Sequence, residues 1–242
     1  MTDTFLAAFA DAVRRDATAP LITYYDDHSG ERVELSGATL DNWVSKTANL
    51  LVDGVGLGQG DTVAVVLPPH WQAAAITLGA FTAGLAVDLG SDPQPVEAVF
   101  TSLELTERAS AWPTSERYVT GLLPFALGLH TPPPGFVDYP TEVRTHGDHF
   151  RPIQPVLAND AALAGPMEMS HEDLAEAATA RAEELGLKAG DRVLVDAFAH
   201  PDPLDWLFAP IQRGATVVLC VNLDPIGVDH RMTTEKCSLL LS

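Results

Sequence analysis

Gly56-Leu57-Gly58-Gln59-Gly60-Asp61-Thr62-Val63-Ala64-Val65 returns 130 residues later as Gly186-Leu187-Lys188-Ala189-Gly190-Asp191-Arg192-Val193-Leu194-Val195, with six of the ten positions identical. Gly84 and Val87 recur at the same offset, as Gly214 and Val217. In each copy a glycine closes a helix in left-handed geometry, a Gly-Asp turn follows, and a continuous apolar run suits a strand buried in a parallel sheet. After the first copy, Trp71 to Ala83 predicts a helix and Leu85–Leu89 a second strand. This is a βαβ unit, whose crossover is right-handed. The second copy predicts the same order: a helix over Glu172–Leu185, a strand over Arg192–Ala197, a helix around Leu204–Arg213 and a strand over 215–221. The expected fold class is α/β, with two repeated βαβ subdomains and mostly parallel sheets.

Upstream, Phe5, Leu6, Phe9 and Val13 share one helical face, so residues 4–15 predict an amphipathic helix. Leu21–Tyr25 and Arg32–Leu35 are β-prone runs around Asp26-Asp27-His28-Ser29-Gly30, a hairpin turn. Ser36 opens a helix reaching about Asp53. Residues 112–166 differ in texture, with Pro132-Pro133-Pro134, Pro152 and Pro155 among interleaved aromatics. They predict an ordered, irregular connector with one short helix. The expected domains are 1–111 (with the N-terminal helix and hairpin), the connector 112–166, and 167–242.

Composition excludes several classes. The formal net charge is −19, and three lysines stand beside eleven arginines. A nucleic-acid binder needs a basic footprint, and an anionic membrane surface would repel this chain. Two cysteines are too few for a disulfide scaffold or a four-cysteine zinc site. The N-terminus lacks a signal-peptide pattern, and no apolar stretch approaches the ~20 residues that span a bilayer. A cytoplasmic location is the expectation. Gly54-x-Gly56-x-Gly58-x-Gly60 precedes its strand, whereas a dinucleotide loop follows one.

The hairpin, Ser36-x3-Leu40, Ala48-Asn49-Leu50, residues 58–68 and Ala83-Gly84-Leu85-Ala86-Val87 together resemble the N-terminal lobe of the AMP-dependent synthetases and ligases. That adenylate-forming superfamily includes the acyl-CoA synthetases. Ser170-His171-x-x-Leu174, Gly190–Val195, Ala209-Pro210 and Gly214–Val218 resemble its second subdomain. The resemblance covers most of residues 18–105 and 160–235. It implies an N-terminal domain alone, similar to the short actinobacterial AMP-binding-like proteins.

In the family, a Ser/Thr/Gly-rich loop ending in Pro-Lys-Gly precedes the second-copy helix and cradles the ATP phosphates. Anion binding there needs converging backbone N–H groups, hydroxyls and a cation. This chain has Asp160-Ala161-Ala162-Leu163-Ala164-Gly165-Pro166-Met167-Glu168-Met169, without the hydroxyls or the lysine. The family's adenine, ribose and magnesium motifs and its catalytic lysine have no counterpart in this sequence. Thr234-Glu235 matches a Thr-Glu motif in letters, but its setting fits a helix-to-strand join.

The resemblance leaves Gly165, Ser170, His171 and His200 as pocket candidates. His200, in Phe198-Ala199-His200-Pro201, stands where acyl-CoA synthetases line the acyl pocket. The bland alternative is a helix-start loop with Asp202 as N-cap. Ser170 and His171 read as a helix start with Asp173 in a capping box, not as a catalytic pair. His146-Gly147-Asp148-His149 offers two imidazoles and a carboxylate, short of a convincing zinc set. No catalytic residue, metal or cofactor is assigned. Two functions are expected to compete: a non-catalytic binding or scaffold protein, and a residual binder of an acyl group, CoA or nucleotide, or a ligase working with a partner. A homodimer or protein partner is expected to cover apolar edges.

Overall fold

The computed structural model describes residues 4–90 and 92–242; the first three positions of the expected 1–111 domain, and residue 91, lie outside the described residues. The elements run α1 (Phe5–Arg15), β1 (Pro20–Asp26), β2 (Glu31–Ser36), α2 (Gly37–Asn49), β3 (Thr62–Val66), α3 (Trp71–Thr82), β4 (Ala86–Asp88), β5 (Ala98–Ser102), α4 (Thr106–Ala109) and β6 (Glu116–Thr120). They continue β7 (Val137–Asp138), α5 (Tyr139–Val143), β8 (Ala161–Ala164), β9 (Met169–Ser170), α6 (His171–Glu184), β10 (Arg192–Asp196), α7 (Ala209–Arg213), β11 (Thr216–Val221), α8 (Val228–Thr234) and β12 (Leu239–Leu241). A π-helical turn, Leu50–Val55, extends α2, and another, Leu204–Phe208, leads into α7. The strands make two sheets, one in each of two compact units.

The first unit holds the chain up to Leu40, Pro69–Trp71 and Glu172–Ser242. Its five-stranded sheet has the order β12-β10-β11-β1-β2, parallel except for the β1–β2 hairpin. Leu21-Ile22-Thr23-Tyr24 is buried throughout because β1 has a neighbour on each side. Thr4 caps α1 through its hydroxyl, and the Phe5 ring meets Phe208 edge-on at 5.1 Å.

The second unit, Asp41–Pro68 and Gln72–His171, holds a seven-stranded sheet with the order β7-β6-β5-β3-β4-β8-β9. All pairs are parallel except β8–β9. Of the α3 residues within this unit only Thr82 escapes full burial, which suits a helix apolar on all sides. The Phe100 ring stacks on Tyr118 and meets Tyr139 edge-on.

The two Gly-Asp turns carry the same hydrogen bonds at the same offset. Gly60 N–H donates to Gly84 O at 3.1 Å, and Gly190 N–H to Gly214 O at 3.0 Å. The Asp61 carboxylate accepts from Gly58 N–H at 2.8 Å, and Asp191 from Lys188 N–H at 2.7 Å. Gly60 and Gly190 both sit at positive φ (93° and 86°), where a side chain would clash with its own backbone. Val63 pairs with Val87 and Val193 with Val217.

Two expectations are corrected. The stretch 112–166 is not an irregular connector, since it supplies β6, β7 and β8 to the seven-stranded sheet. Glu116–Thr120 is too short to show a period, and the hydrogen bonds that make it a strand come from distant β5. The expected short helix is there, as α5 within residues 136–145. The borders 1–111 and 167–242 also shift. β1 and β2 join the second copy's sheet, because Ile22–Asp26 pairs in register with Val217–Val221, and α1 belongs to the same unit.

Candidate functional site

Where the resemblance expects a phosphate loop, the chain forms a tight hairpin. Ala161 pairs with Ser170 and Leu163 with Met169, and the 3-10 turn Gly165–Met167 joins the two strands. β8 also lies parallel to β4, with Asp88 opposite Ala164. Gly165 takes φ +87°, and a Cβ there would approach Asp88 Oδ1 to 3.0 Å. Asp88 is 1% exposed. Its Oδ1 accepts from Gly90 N–H at 2.6 Å, while Oδ2 has no hydrogen-bond partner among the described residues. An anion cradle needs free N–H groups and a cation; here Pro166 has no N–H and Gly90's is taken by the carboxylate. A phosphate charge ~4 Å from that carboxylate would be repelled by about 1–4 kcal/mol.

Ser170 ends β9, and His171 opens α6 with its N–H donating to Asp160 O at 3.0 Å. The His171 imidazole is fully buried, edge-on to Phe81 at 5.2 Å, and neither ring nitrogen has a hydrogen-bond partner among the described residues. Burial pushes it down to about 4, against the opposing pull of Asp160. A ring whose nitrogens contact no hydroxyl does not activate a serine.

His200 lies in the other unit, after β10. Its N–H donates to Asp196 O, and its Nδ1 meets Asp205 Oδ2 at 2.7 Å. The same carboxylate accepts from Arg181 Nε at 2.7 Å. Burial raises the Asp205 carboxyl, but the bonds from Arg181 and His200 outweigh it and hold it below the ordinary range. The imidazole thus braces the π-helical turn Leu204–Phe208. Gly165, Ser170 and His171 come together on one stretch of one unit, and His200 belongs to the other unit.

Glu235 is a structural anchor. Its carboxylate accepts from Tyr25 Oη at 2.6 Å, an Arg192 guanidinium nitrogen at 2.6 Å and Arg32 Nε at 3.0 Å. Burial works against ionisation, yet these bonds bring it down to about 2. The 146–149 loop is tied by its backbone: His146 O accepts from Lys46 Nζ, and Asn49 Nδ2 donates to Gly147 O and His149 O. Among the described residues no three His, Cys, Asp or Glu groups converge as a metal set. A cavity of about 330 Å³ in the second unit is lined by Val52, Leu57, Phe150 and Ile153, and no pocket candidate reaches it. Asp88 is the residue sequence reasoning passed over; its one signal is a carboxylate ending an otherwise apolar strand.

The protein-family model for AMP-binding enzymes matches residues 9–105. A TIGR03089 family protein of Mycobacterium tuberculosis (strain ATCC 25618 / H37Rv) is 41% identical over 238 residues, covering 95% of this chain and 94% of the relative. Among solved structures, a Brucella canis acyl-CoA synthetase is similar at TM-score 0.72 and 17% identity, over 96% of this chain and 46% of that one. A benzoate CoA ligase from Burkholderia xenovorans LB400 is similar at TM-score 0.71 and 15% identity, over 98% and 49%. The chain spans about half the length of these ligases, and at such identities the likeness is one of fold. The mixed α/β units with mostly parallel sheets are those of the N-terminal domain of adenylate-forming enzymes.

Proposed function

The chain belongs to the TIGR03089 family, and from that premise we propose that it is a non-catalytic, AMP-binding-like protein with a binding or scaffold role. The observation that carries this reading is the buried Asp88 carboxylate under the Gly165 turn. It puts a negative charge and a closed hairpin where an adenylating enzyme needs free donors and a cation. Calorimetry with Mg-ATP, together with pyrophosphate exchange, is the test. No heat and no exchange are expected; saturable ATP binding with exchange overturns the reading.

A second reading keeps a residual acyl or CoA site. Its support is the 330 Å³ cavity, which sets apolar Val52, Leu57 and Phe150 beside polar Asp53, Gln59 and Arg151, a mix that suits a small acyl group with a polar end. Acyl-CoA titrations that are abolished by Leu57→Trp would favour it. Either protein works in company: self-association into a homodimer draws support from the exposed Leu123, Phe125 and Leu127 of the second unit. Light scattering at tens of micromolar checks it, and a strict monomer removes it. A cytoplasmic location goes with two cysteines that are both free; cell fractionation tests it. No helix among the described residues is long and apolar enough to cross a membrane.

A further inference from the structure

The first unit presents two large apolar side chains to solvent on neighbouring loops. Phe198 is 91% exposed and Ile226 is 92% exposed. Phe198 follows β10 and Ile226 follows β11, adjacent parallel strands in which the last residue of β10, Asp196, pairs with Cys220, one before the end of β11. Both loops therefore leave the same edge of the sheet, the carboxyl edge where open α/β sheets place their ligands.

The loops are held, not loose. Asp196 Oδ1 accepts from Phe198 N–H at 3.0 Å, and Asp196 O from His200 N–H at 2.9 Å. Asp224 Oδ1 accepts from Ile226 N–H at 2.9 Å, while Asp224 N–H is fastened to Asp27 Oδ2 at 2.7 Å. A loop whose backbone is already fastened has met part of the ordering cost of binding. Aromatic anchors of this kind carry most of the energy of protein interfaces.

Charge selects the occupant. Asp202 and Asp224 stand exposed on the same loops, and Asp229 stands exposed in the first turn of α8, which follows the second loop. No lysine lies between 196 and 203 or between 222 and 231, and the one arginine, Arg231, is bound to Asp27 at 2.5 Å. A second copy would bring the same acidic rim, within a chain of net charge −19, against its like. We propose that the Phe198–Ile226 edge docks a different protein, one offering an apolar cleft rimmed by lysine and arginine. This names the partner class for the scaffold reading and rests on it.

The test uses the full chain with the photo-crosslinking residue p-benzoylphenylalanine at position 198, added to an extract of its own cells. The expected result is an adduct whose crosslinked segment is rich in Lys and Arg. Its yield should fall about tenfold with Ile226→Asp, with Asp229→Lys, and when salt is raised from ~0.05 to ~0.5 M. Both side chains face solvent, so Ile226→Asp should leave thermal melting in place, while Asp229→Lys, in the first turn of α8, should lower it only slightly. An adduct with a second copy, one on a neutral or acidic segment, one indifferent to Ile226→Asp, or no adduct at all, overturns the proposal. None of these outcomes touches the ATP calorimetry, so the two readings fail separately.

Discussion

His70 and His171 are both buried, and burial pushes them down from the ordinary 6.5 to about 3 and about 4. Unfolding lets each ring take a proton near 6.5, so the unfolded chain binds more protons below that pH. Their stabilisation is full above pH 6.5 and drains as pH falls toward the folded values. At pH 5 each should cost about 2 kcal/mol, and His171→Leu should flatten the pH dependence of urea unfolding between pH 7 and 5. Asp88 poses a different residue-scale problem, since Oδ2 is buried without a hydrogen-bond partner among the described residues. Asp88→Asn keeps the acceptor for Gly90 N–H and removes the buried charge. Stability at neutral pH should rise by roughly 1–2 kcal/mol, read from denaturant midpoints. A loss would mean that the carboxylate is satisfied in solution.

At the scale of elements, Glu235 links the end of α8 to the β1–β2 hairpin through Tyr25 and Arg32, and to β10 through Arg192. Glu235→Gln should cost about 2–4 kcal/mol, because it leaves the half-buried Arg192 short of its counter-charge. The wild-type contribution is present above the ordinary carboxyl value of 4.5 and is lost as pH falls toward about 2. The loop after β6 is strained, with Leu122, Phe125 and Ala126 all at positive φ. Phe125 is 82% exposed, so Phe125→Gly should relieve strain at little packing cost and raise stability by about 1 kcal/mol. Elements with their own local signal were legible: the amphipathic α1, the long apolar run of α3, α6, the hairpin, and both Gly-Asp turns. β6, β7 and β8 were not, because five residues or fewer bounded by polar or proline positions carry no period of their own. Their identity is lent by the strands beside them.

For the molecule as a whole, the net charge of −19 sets a further expectation. Like charges repel in the folded state, so the melting temperature should rise between low and moderate salt as screening grows. A melting curve indifferent to salt would show that the excess charge is already balanced locally. The sequence by itself determined the α/β class, the two Gly-Asp turns and the absence of a Ser/Thr/Gly-rich run with a lysine at residues 160–169. These are local: a turn needs its glycine and an anion cradle needs its donors, wherever they lie in the chain. Only the tertiary structure decided that β1 and β2 complete the sheet of the second copy, and that Asp88, some 77 positions before Gly165, fills the space beneath it. Strand pairing and burial join residues far apart in sequence, and the register that does so is chosen by which side chains can leave water together, not by their order along the chain.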